Sequence, residues 1–521
     1  MAKTARMLRF LFKAVCFAAL FSLIFSPTGR SDALRMAPVA ARVLQDVAAN
    51  GEADILVVFN NLPADSLAQR PFSTRLEQGQ QVYAALSVSA LSAQASLLAR
   101  LEQAGILVQS FTVVNSLALR ATASLVQEIA RMPEVAYITS DAPFRVDLEQ
   151  PQASPAPNAA TDPIQWNIAW VNAPALWALG ARGGGIVYAN ADTGVQWDHP
   201  NLRDQYRGWT GTAVDHNYNW WDGVRTPISG APVSVCPPPS NVPCDDNGHG
   251  THTMGTGVGN AASGTQIGMA PEAKWIACHN MDAGVGRPST YLSCFQFFLA
   301  PTDLAGNNPD PSKRPDVVGN SYSCPLSEQC IDLRVMKTAA ENLRAAGIFM
   351  SVSAGNDGSS GCSSINTPPS IEPAFFTVGS SSYKTNVISS FSSRGPAAIG
   401  GSSWLKPDLV APGGAVYSSY RNNAYGTLSG TSMASPNVAG AVALLWSARP
   451  ELRGDIDRTE HILTYSALHL EAGFGSVALC GTDSAISMPN NTYGFGELDV
   501  LAAYNWRDDY SIFGPLVSNQ P

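Results

Sequence analysis

Four polar residues of this 521-residue chain stand in short segments of small residues, and their types could cleave acyl bonds by nucleophilic attack. In chain order they are Asp192, His249, Asn356 and Ser432. A hydroxyl can act as nucleophile, an imidazole as its base, a carboxylate as the group that orients the imidazole, and an amide as an oxyanion donor. The order Asp, His, Ser is one of the recurring orders of the hydrolase triad. The segments are ADTGV (191–195), HGTH (249–252), SAGNDG (353–358) and GTSMASP (430–436).

Taken alone, each of these residues also has an ordinary structural interpretation. Aspartate and asparagine next to glycine commonly close turns. An aspartic protease needs two facing carboxylates, and the chain has no second Asp-Thr-Gly or Asp-Ser-Gly segment. His249 and His252 could face a zinc ion, but the His-Glu-x-x-His pattern is missing, so a buried histidine is the stronger alternative. Gly248 and Gly250 allow close backbone approach, which favours a working role for His249.

The stretch LSGTSMASPNVAGAVALL (428–445) is predicted to contain a helix that carries Ser432 at its beginning. Apolar residues recur at helical spacing and the opposite face is also small or apolar, so the helix is expected to be buried. Pro436 is tolerated only near a helix start, which puts the N-terminus at about Thr431–Met433. Ser432 therefore lies where free N–H groups and the helix dipole favour an anion. The alternative is an ordinary N-cap serine.

Elements on both sides of a parallel sheet are predicted to position these residues. Apolar strand-like runs alternate with helical stretches over 164–505, which indicates an α/β domain with a mainly parallel sheet. Polar residues that follow such strands lie at their carboxyl ends, where open α/β sheets place their sites. Residues 203–248, rich in Pro and Gly, are interpreted as an irregular surface excursion, and 506–521 as a short tail. The candidate central strands are 186–191, 316–321 and 348–355.

A smaller unit is predicted over 54–141. Its order is strand, long helix, hairpin, helix and strand, which is the β-α-β-β-α-β order of ferredoxin-like α+β folds. Residues 142–163, which include QPQASPAPNAATDP, are predicted to be an accessible linker.

The N-terminal residues 1–33 are predicted to be a secretory signal. Four basic residues precede or flank a twelve-residue apolar run, which is too short to span a bilayer comfortably. No later run has the unbroken apolar length of a membrane helix, so no membrane association is expected after cleavage. The net charge of −9 comes with no basic block, and no nucleic-acid partner is expected.

Eight of the nine cysteines lie beyond this signal, an even number that suggests disulfides in an exported chain. No Cys-x-x-Cys pair is present, which weakens a zinc interpretation. Proximity in sequence favours the pairs 236–244, 278–294 and 324–330, which leaves 362–480, although other pairings remain open.

Taken together, the four segments resemble the signature segments of the subtilisin-like serine proteases, or subtilases. The resemblance covers about 164–505 and implies the three-layer subtilisin-like fold, and 54–141 resembles the inhibitory propeptide of that family. Within the family the chain resembles the bacillopeptidase F group most. Further matching segments are FSSRGP (391–396), KPDLVAPGG (406–414) and NNTYGFGELD (490–499).

The resemblance implies a role for each matching residue. Ser432 is expected to be the nucleophile, His249 the general base and acid, Asp192 the residue that orients it, and Asn356 an oxyanion donor together with the Ser432 backbone N–H. A peptide substrate would bind as an additional β-strand along the edge that contains Ser321-Tyr322-Ser323. The residues expected to bind substrate are Ser321, Tyr322, Ser323, Ser353, Ala354 and Gly355.

Two departures from the family pattern concern specificity and metal. Ser323 carries a Cβ where the family commonly has glycine, so a shallower or shifted primary pocket is expected. Asn201 matches a position where the family commonly has a calcium-ligating aspartate. An amide oxygen can also ligate calcium, so a structural calcium stays open and no other cofactor is expected.

The function expected from the sequence is a secreted, monomeric serine endopeptidase that acts on proteins and peptides. It would be made as a precursor inhibited by its own propeptide and cleaved within 142–163. The alternative is a catalytically silent binding protein on the same fold. A lipase or esterase of the α/β-hydrolase type is disfavoured, because Ser432 lacks the Gly-x-Ser-x-Gly setting and the triad order differs.

Overall fold

A computed structural model of the chain describes residues 36–60, 72–151, 163–322, 332–399 and 401–507. The predicted signal over 1–33, the Cys324–Cys330 pair, Ser323 and most of the predicted tail lie outside the described residues.

The N-terminal unit has the predicted β-α-β-β-α-β order. Its antiparallel sheet has the strand order β2-β3-β1-β4, and Thr74 and Thr122 accept hydrogen bonds that cap its long and its short helix. The first strand of the predicted hairpin ends at Phe111, because residues 112–115 form the turn and Asn115 has a φ of 48°. An additional helix, α1, precedes the first strand. The elements are α1 (Ala41–Asn50), β1 (Glu52–Phe59), α2 (Arg75–Gln103), β2 (Val108–Phe111), β3 (Ser116–Thr122), α3 (Ala123–Ile129) and β4 (Val135–Ser140).

The larger unit confirms the predicted α/β class. Its seven strands run in the order β16-β13-β12-β11-β6-β8-β7, and each neighbouring pair is parallel. Two of the predicted central strands lead directly into site segments, since β6 ends at Asp192 and β12 ends at Ser353, just before Ala354–Asn356. The sheet strands are β6 (Val187–Asp192), β7 (Trp220–Asp222), β8 (Lys274–His279), β11 (Val317–Asn320), β12 (Phe349–Ser353), β13 (Phe376–Ser381) and β16 (Leu409–Pro412).

Helices pack on both faces of this sheet, and smaller strand pairs surround it. The helices are α4 (Trp166–Trp170), α5 (Ala173–Ala178), α6 (His249–Val258), α7 (Pro288–Leu299), α8 (Leu333–Ala345), α9 (Thr431–Ala448), α10 (Ile456–Tyr465) and α11 (Val500–Asn505). The remaining strands are β5 (Phe144–Arg145), β9 (Met281–Asp282), β10 (Val285–Gly286), β14 (Ala397–Ile399), β15 (Ser402–Trp404), β17 (Val416–Tyr420) and β18 (Ala424–Leu428).

Helix α9 is the centre of the larger unit. Every residue from Thr431 to Trp446 is buried, as the apolar character of both helix faces predicts. The helix packs against β11, β12, β13 and α6. This position holds its N-terminus rigidly at the carboxyl edge of the sheet.

The segment predicted to be an irregular excursion contributes to the sheet. Trp220 is fully buried and β7 forms the edge strand beside β8, so 203–248 is partly core and not wholly surface. A tryptophan side chain carries a large apolar surface, so its burial stabilises this edge of the sheet. The Cys236–Cys244 disulfide closes the rest of the loop, and Cys278–Cys294 is also present, as sequence proximity favoured. The pair that this pairing left over, Cys362–Cys480, is present as well.

The two units share one hydrophobic cluster. Side chains of β1 and of the β2–β3 hairpin pack with residues of α7 and α8. Polar contacts fix the orientation, since the Gln296 side-chain oxygen accepts from Thr112 and Val113 N–H groups at 2.9 Å each, and Asn342 donates to the Val113 carbonyl at 2.9 Å. Asp141 accepts from the Ser289 N–H and hydroxyl, both at 2.7 Å, at the beginning of α7. The N-terminal unit therefore caps α7 and covers both helices.

Among the described residues, one helix, Arg75–Gln103, is long and apolar enough to cross a membrane by length and composition. One face of it packs on the sheet of the N-terminal unit, where Val82, Leu86, Leu97 and Leu101 are buried. A single helix of this kind is weak evidence for a membrane span.

Candidate active site

Asp192 is the last residue of β6 and is fully buried. One of its oxygens accepts from the Thr193 N–H at 2.7 Å, and the other accepts from the Thr253 hydroxyl at 3.2 Å. A buried carboxylate is tolerated when its oxygens are hydrogen-bonded in this way. These contacts also fix the plane of the carboxylate.

His249 is the first residue of α6, and its ring lies between two carboxylates. Its Nδ1 is 2.8 Å from Asp192 Oδ1, and its Nε2 is 2.9 Å from Glu149 Oε2. A carboxylate oxygen only accepts, so both ring nitrogens donate and the ring is an imidazolium. Burial opposes this charge, but Asp192 and Glu149 raise the pKa of His249 well above its ordinary value.

Gly250 permits the close approach of α6 to β6. A Cβ at this position would meet the Gly194 carbonyl oxygen and would lie 3.1 Å from the Cβ of Asp192. A larger residue would therefore push the helix away from the strand and lengthen the contact between Asp192 and His249.

Asn356 follows β12, and the beginning of α9 determines its orientation. Its side-chain oxygen accepts from the Thr431 N–H at 2.9 Å and from the Thr431 hydroxyl at 3.0 Å. The side-chain NH₂ group must therefore point away from the helix, and it donates to Glu149 Oε1 at 2.7 Å. Thr431 thus directs the amide donor toward the space beside Ser432.

Ser432 is the second residue of α9, where backbone N–H groups have no partner within the helix. Its hydroxyl donates to the Ser321 carbonyl at 3.2 Å and lies beside the Glu149 carboxylate. Pro436 has no N–H, so the Ser432 carbonyl lacks its usual helical donor and accepts from the Ser321 hydroxyl at 3.0 Å instead. These two hydrogen bonds connect the beginning of α9 to Ser321, the residue that follows β11.

The Glu149 carboxylate lies at the point where these groups converge. It contacts His249 and Asn356 directly, and its side chain is only 11% exposed. Burial works against its charge, but the hydrogen bond and positive charge of His249 keep the pKa of Glu149 below its ordinary value. Asp192, His249, Asn356 and Ser432, scattered along the sequence, are thereby brought to one small volume.

Most residues expected to bind substrate line the same edge of the sheet. Tyr322 and Ala354 are buried, and the Ser353 hydroxyl donates to the Tyr322 carbonyl at 3.4 Å. Gly355 has a φ of 101°, and its N–H donates to the Thr431 hydroxyl at 3.1 Å. Ser321 contacts Ser432 as described above, whereas Ser323, and with it the expected change in the primary pocket, lies outside the described residues.

His252 is separate from the reactive groups. Its Nε2 faces the carbonyls of Val416 and Gly426, each at 3.1 Å, so Nε2 carries the proton. Burial lowers the pKa of His252 to about 3, which keeps the ring neutral. Within the described ranges no group of three or more His, Cys, Asp or Glu residues could hold a metal ion.

The candidate calcium position at Asn201 does not fit calcium. The Asn201 side-chain NH₂ donates to the Asn260 carbonyl at 2.6 Å, and its oxygen accepts from the Tyr425 hydroxyl at 2.5 Å. Calcium requires six to eight oxygen ligands. Here the Asn201 oxygen already accepts from Tyr425, and the NH₂ group of the same side chain donates to a backbone carbonyl, so both ends of the side chain are engaged in hydrogen bonds.

We predict that removal of calcium leaves the stability of this region unchanged. The Asn201–Asn260 hydrogen bond needs no ion, so thermal unfolding followed by circular dichroism should give the same Tm with excess EGTA as with excess CaCl₂. In Asn201→Asp, a carboxylate would face the Asn260 carbonyl, and the Tm should fall in EGTA and recover in calcium. A wild-type Tm that drops on chelation would contradict the assignment.

Sequence reasoning missed several residues that build the site. Thr431 belongs to a signature segment and Thr253 directly follows another, but their partners lie far away in sequence. Asp245 accepts from the Thr193 and Thr251 hydroxyls and so holds the segments of Asp192 and His249 together. Glu149 lies in the predicted linker and was not predicted to be a site residue. The one signal for it in the sequence was its position next to the proline-rich run.

Comparison with known proteins places this geometry in context. The sequence profile described as the Subtilase family matches residues 183–496, which is more than half of the chain. The chain is 34% identical over 416 residues to bacillopeptidase F of Bacillus subtilis (strain 168) and 29% identical over 370 residues to subtilisin E of the same strain. It is also 30% identical over 285 residues to the major intracellular serine protease of that strain.

These matches cover different shares of the relatives. They include 76%, 70% and 54% of this chain, respectively, and 26%, 79% and 74% of the relatives. The chain thus spans about a quarter of the length of bacillopeptidase F and most of the length of subtilisin E.

Proposed function

Because the chain belongs to the subtilase family and is a serine-type endopeptidase, we propose that Asp192, His249 and Ser432 form its catalytic triad. Asn356 and the Ser432 backbone N–H would form the oxyanion hole. One observation carries the proposal. The His249 ring, which is paired with the buried Asp192, and the Asn356 side-chain NH₂ group contact the same carboxylate, that of Glu149, beside Ser432 at the beginning of α9.

Each residue has a defined task in this proposal. The Ser432 hydroxyl attacks the scissile carbonyl carbon, while His249 Nε2 takes its proton and later delivers it to the leaving amine. Asp192 holds Nδ1–H of His249 and stabilises the imidazolium. The Asn356 side-chain NH₂ donates to the oxyanion, in the position where it now donates to a carboxylate oxygen.

Asn356→Ala is expected to lower kcat by about 100- to 1000-fold, because the oxyanion loses one oriented donor. KM should change little, since this donor acts mainly on the transition state. Steady-state hydrolysis of a peptide substrate by the matured enzyme measures both constants. Asp357→Asn, at the neighbouring exposed position, is the matched control and should behave as wild type. An unchanged kcat in Asn356→Ala would remove this residue from the mechanism.

The proposal includes synthesis as an inhibited, secreted precursor. Residues 1–33 would direct export, 54–141 would assist folding and inhibit, cleavage would occur within 142–163, and 164–505 would form the mature enzyme. The shared hydrophobic cluster and the cap on α7 support the inhibitory role, and the disulfides support an oxidising compartment. Mass spectrometry of secreted protein should find a new N-terminus within 142–163.

A second candidate is a catalytically silent binding protein, because the chain's own Glu149 occupies the active centre. The complete set of catalytic side chains favours the enzyme. Labelling of matured protein with a serine-reactive phosphonate distinguishes the two, since an adduct on Ser432 requires a working nucleophile. A peptide-library digest read by mass spectrometry would then give the cleavage preference.

A further inference from the structure

The segment 144–151, which carries Glu149, lies along the cleft and begins with the short strand β5. β5 pairs with β10 in antiparallel register, and the Val146 N–H donates to the Gly284 carbonyl at 2.8 Å. On the other side of Glu149, Pro151 packs against Gly426, 3.4 Å from where a Cβ on that glycine would lie. Anchors on both sides therefore hold Glu149 over the catalytic residues.

One oxygen of the Glu149 carboxylate makes a contact that an oxyanion would make, with the Asn356 NH₂ group. The other oxygen accepts from His249 Nε2, and the carboxylate lies directly against the Cα of Gly430. A Cβ at Gly430 would collide with it. The carboxylate is thus seated where Gly430, Asn356 and the beginning of α9 leave room for a negative oxygen.

This contact blocks two steps of the reaction at once. A substrate carbonyl cannot enter the oxyanion hole while a carboxylate fills it. His249 Nε2 already donates to Glu149, so it has no lone pair with which to take the proton of Ser432. Ser432 accordingly donates to the Ser321 carbonyl.

We infer that the Glu149 side-chain carboxylate is a built-in anionic plug that keeps the active centre of the precursor inactive until the 144–151 segment leaves the cleft. This inference rests on the proposed function and specifies which group performs the inhibition. The plug acts through its charge, because the two donors facing it are an imidazolium and an amide. Asp147, two residues earlier, is exposed and offers a carboxylate in the same segment for comparison.

The test compares the reactivity of Ser432 in four full-length precursors: wild type, Glu149→Gln, Glu149→Ala and Asp147→Asn. Each freshly folded protein is treated with a fluorophosphonate probe, and intact-mass spectrometry counts adducts only on unprocessed chains. Thermal unfolding and near-ultraviolet circular dichroism establish the folded fraction, to which each rate is normalised. Glu149 lies in a partly exposed segment, and its two replacements provide two independent chances of a folded variant.

Both Glu149 variants should be labelled about tenfold faster or more than wild type, the scale of one lost hydrogen bond between charged groups, and Asp147→Asn should match wild type. Wild-type labelling rates in both folded Glu149 variants would overturn the inference. Equal acceleration by Asp147→Asn would also overturn it, because the effect would then belong to the charge of the segment and not to the plug. Absence of an adduct even on matured wild-type protein would instead refute the proposed function.

Discussion

Ser432→Ala is expected to reduce kcat of the matured enzyme by about a million-fold, as removal of the nucleophile does in serine proteases of this type. The reason is that no other described hydroxyl occupies the second position of α9 beside His249 and Asn356. Residual hydrolysis above the uncatalysed rate should persist, because the oxyanion donors still bind the transition state. Peptide hydrolysis and phosphonate labelling both measure the change, and no adduct should form.

Ser435→Ala is the matched control for this prediction. Ser435 lies one turn further along α9, is buried, and its hydroxyl is 2.9 Å from the Ser351 hydroxyl. Its removal changes the polarity of the same helix without touching the reactive groups, so labelling of Ser432 should continue. Undiminished hydrolysis by Ser432→Ala would mean that another residue is the nucleophile.

Asp192→Asn is expected to lower kcat by about 10⁴-fold. The amide keeps the shape of the carboxylate but removes the negative charge that stabilises the imidazolium of His249. The two oxygens of Asp192 accept from the Thr193 N–H and the Thr253 hydroxyl. The asparagine side chain has only one oxygen, so it can accept at only one of these two positions. Folding should be retained, because a buried amide can satisfy the same neighbours by donating to the Thr253 oxygen.

The pH profile separates this electrostatic role from a structural one. Asp192 raises the pKa of His249, so the acid limb of kcat/KM in the matured enzyme should move to lower pH in Asp192→Asn. A merely loosened site would lower activity without moving that limb. Asp198→Asn, an exposed carboxylate on the following loop, should change neither kcat nor the limb.

The calcium and Glu149 assignments show how a motif match differs from a site. The Asn201 position resembles a ligand position, yet its amide donates to Asn260. Glu149 belongs to no signature segment, yet its carboxylate contacts two of the four predicted catalytic residues. In each case the direction of one donor or acceptor decides the chemistry.

The sequence by itself was sufficient for the α/β class, the β-α-β-β-α-β order of the N-terminal unit and the beginning of α9. These depend on local patterns, namely apolar periodicity, glycine at turns and the lack of an N–H in Pro436. The order of Asp192, His249 and Ser432 further narrowed the chemistry, because few reactions use those three residue types together.

Only the tertiary structure decided which way the polar groups point. Thr431 orients Asn356 across 75 positions, and Glu149 reaches His249 across 100. Such contacts depend on how whole helices and strands pack, and no local pattern encodes a distance between distant segments. The edge strand β7 and the hydrogen-bonded Asn201 arise in the same way, since burial there is set by neighbours that the linear sequence does not bring together.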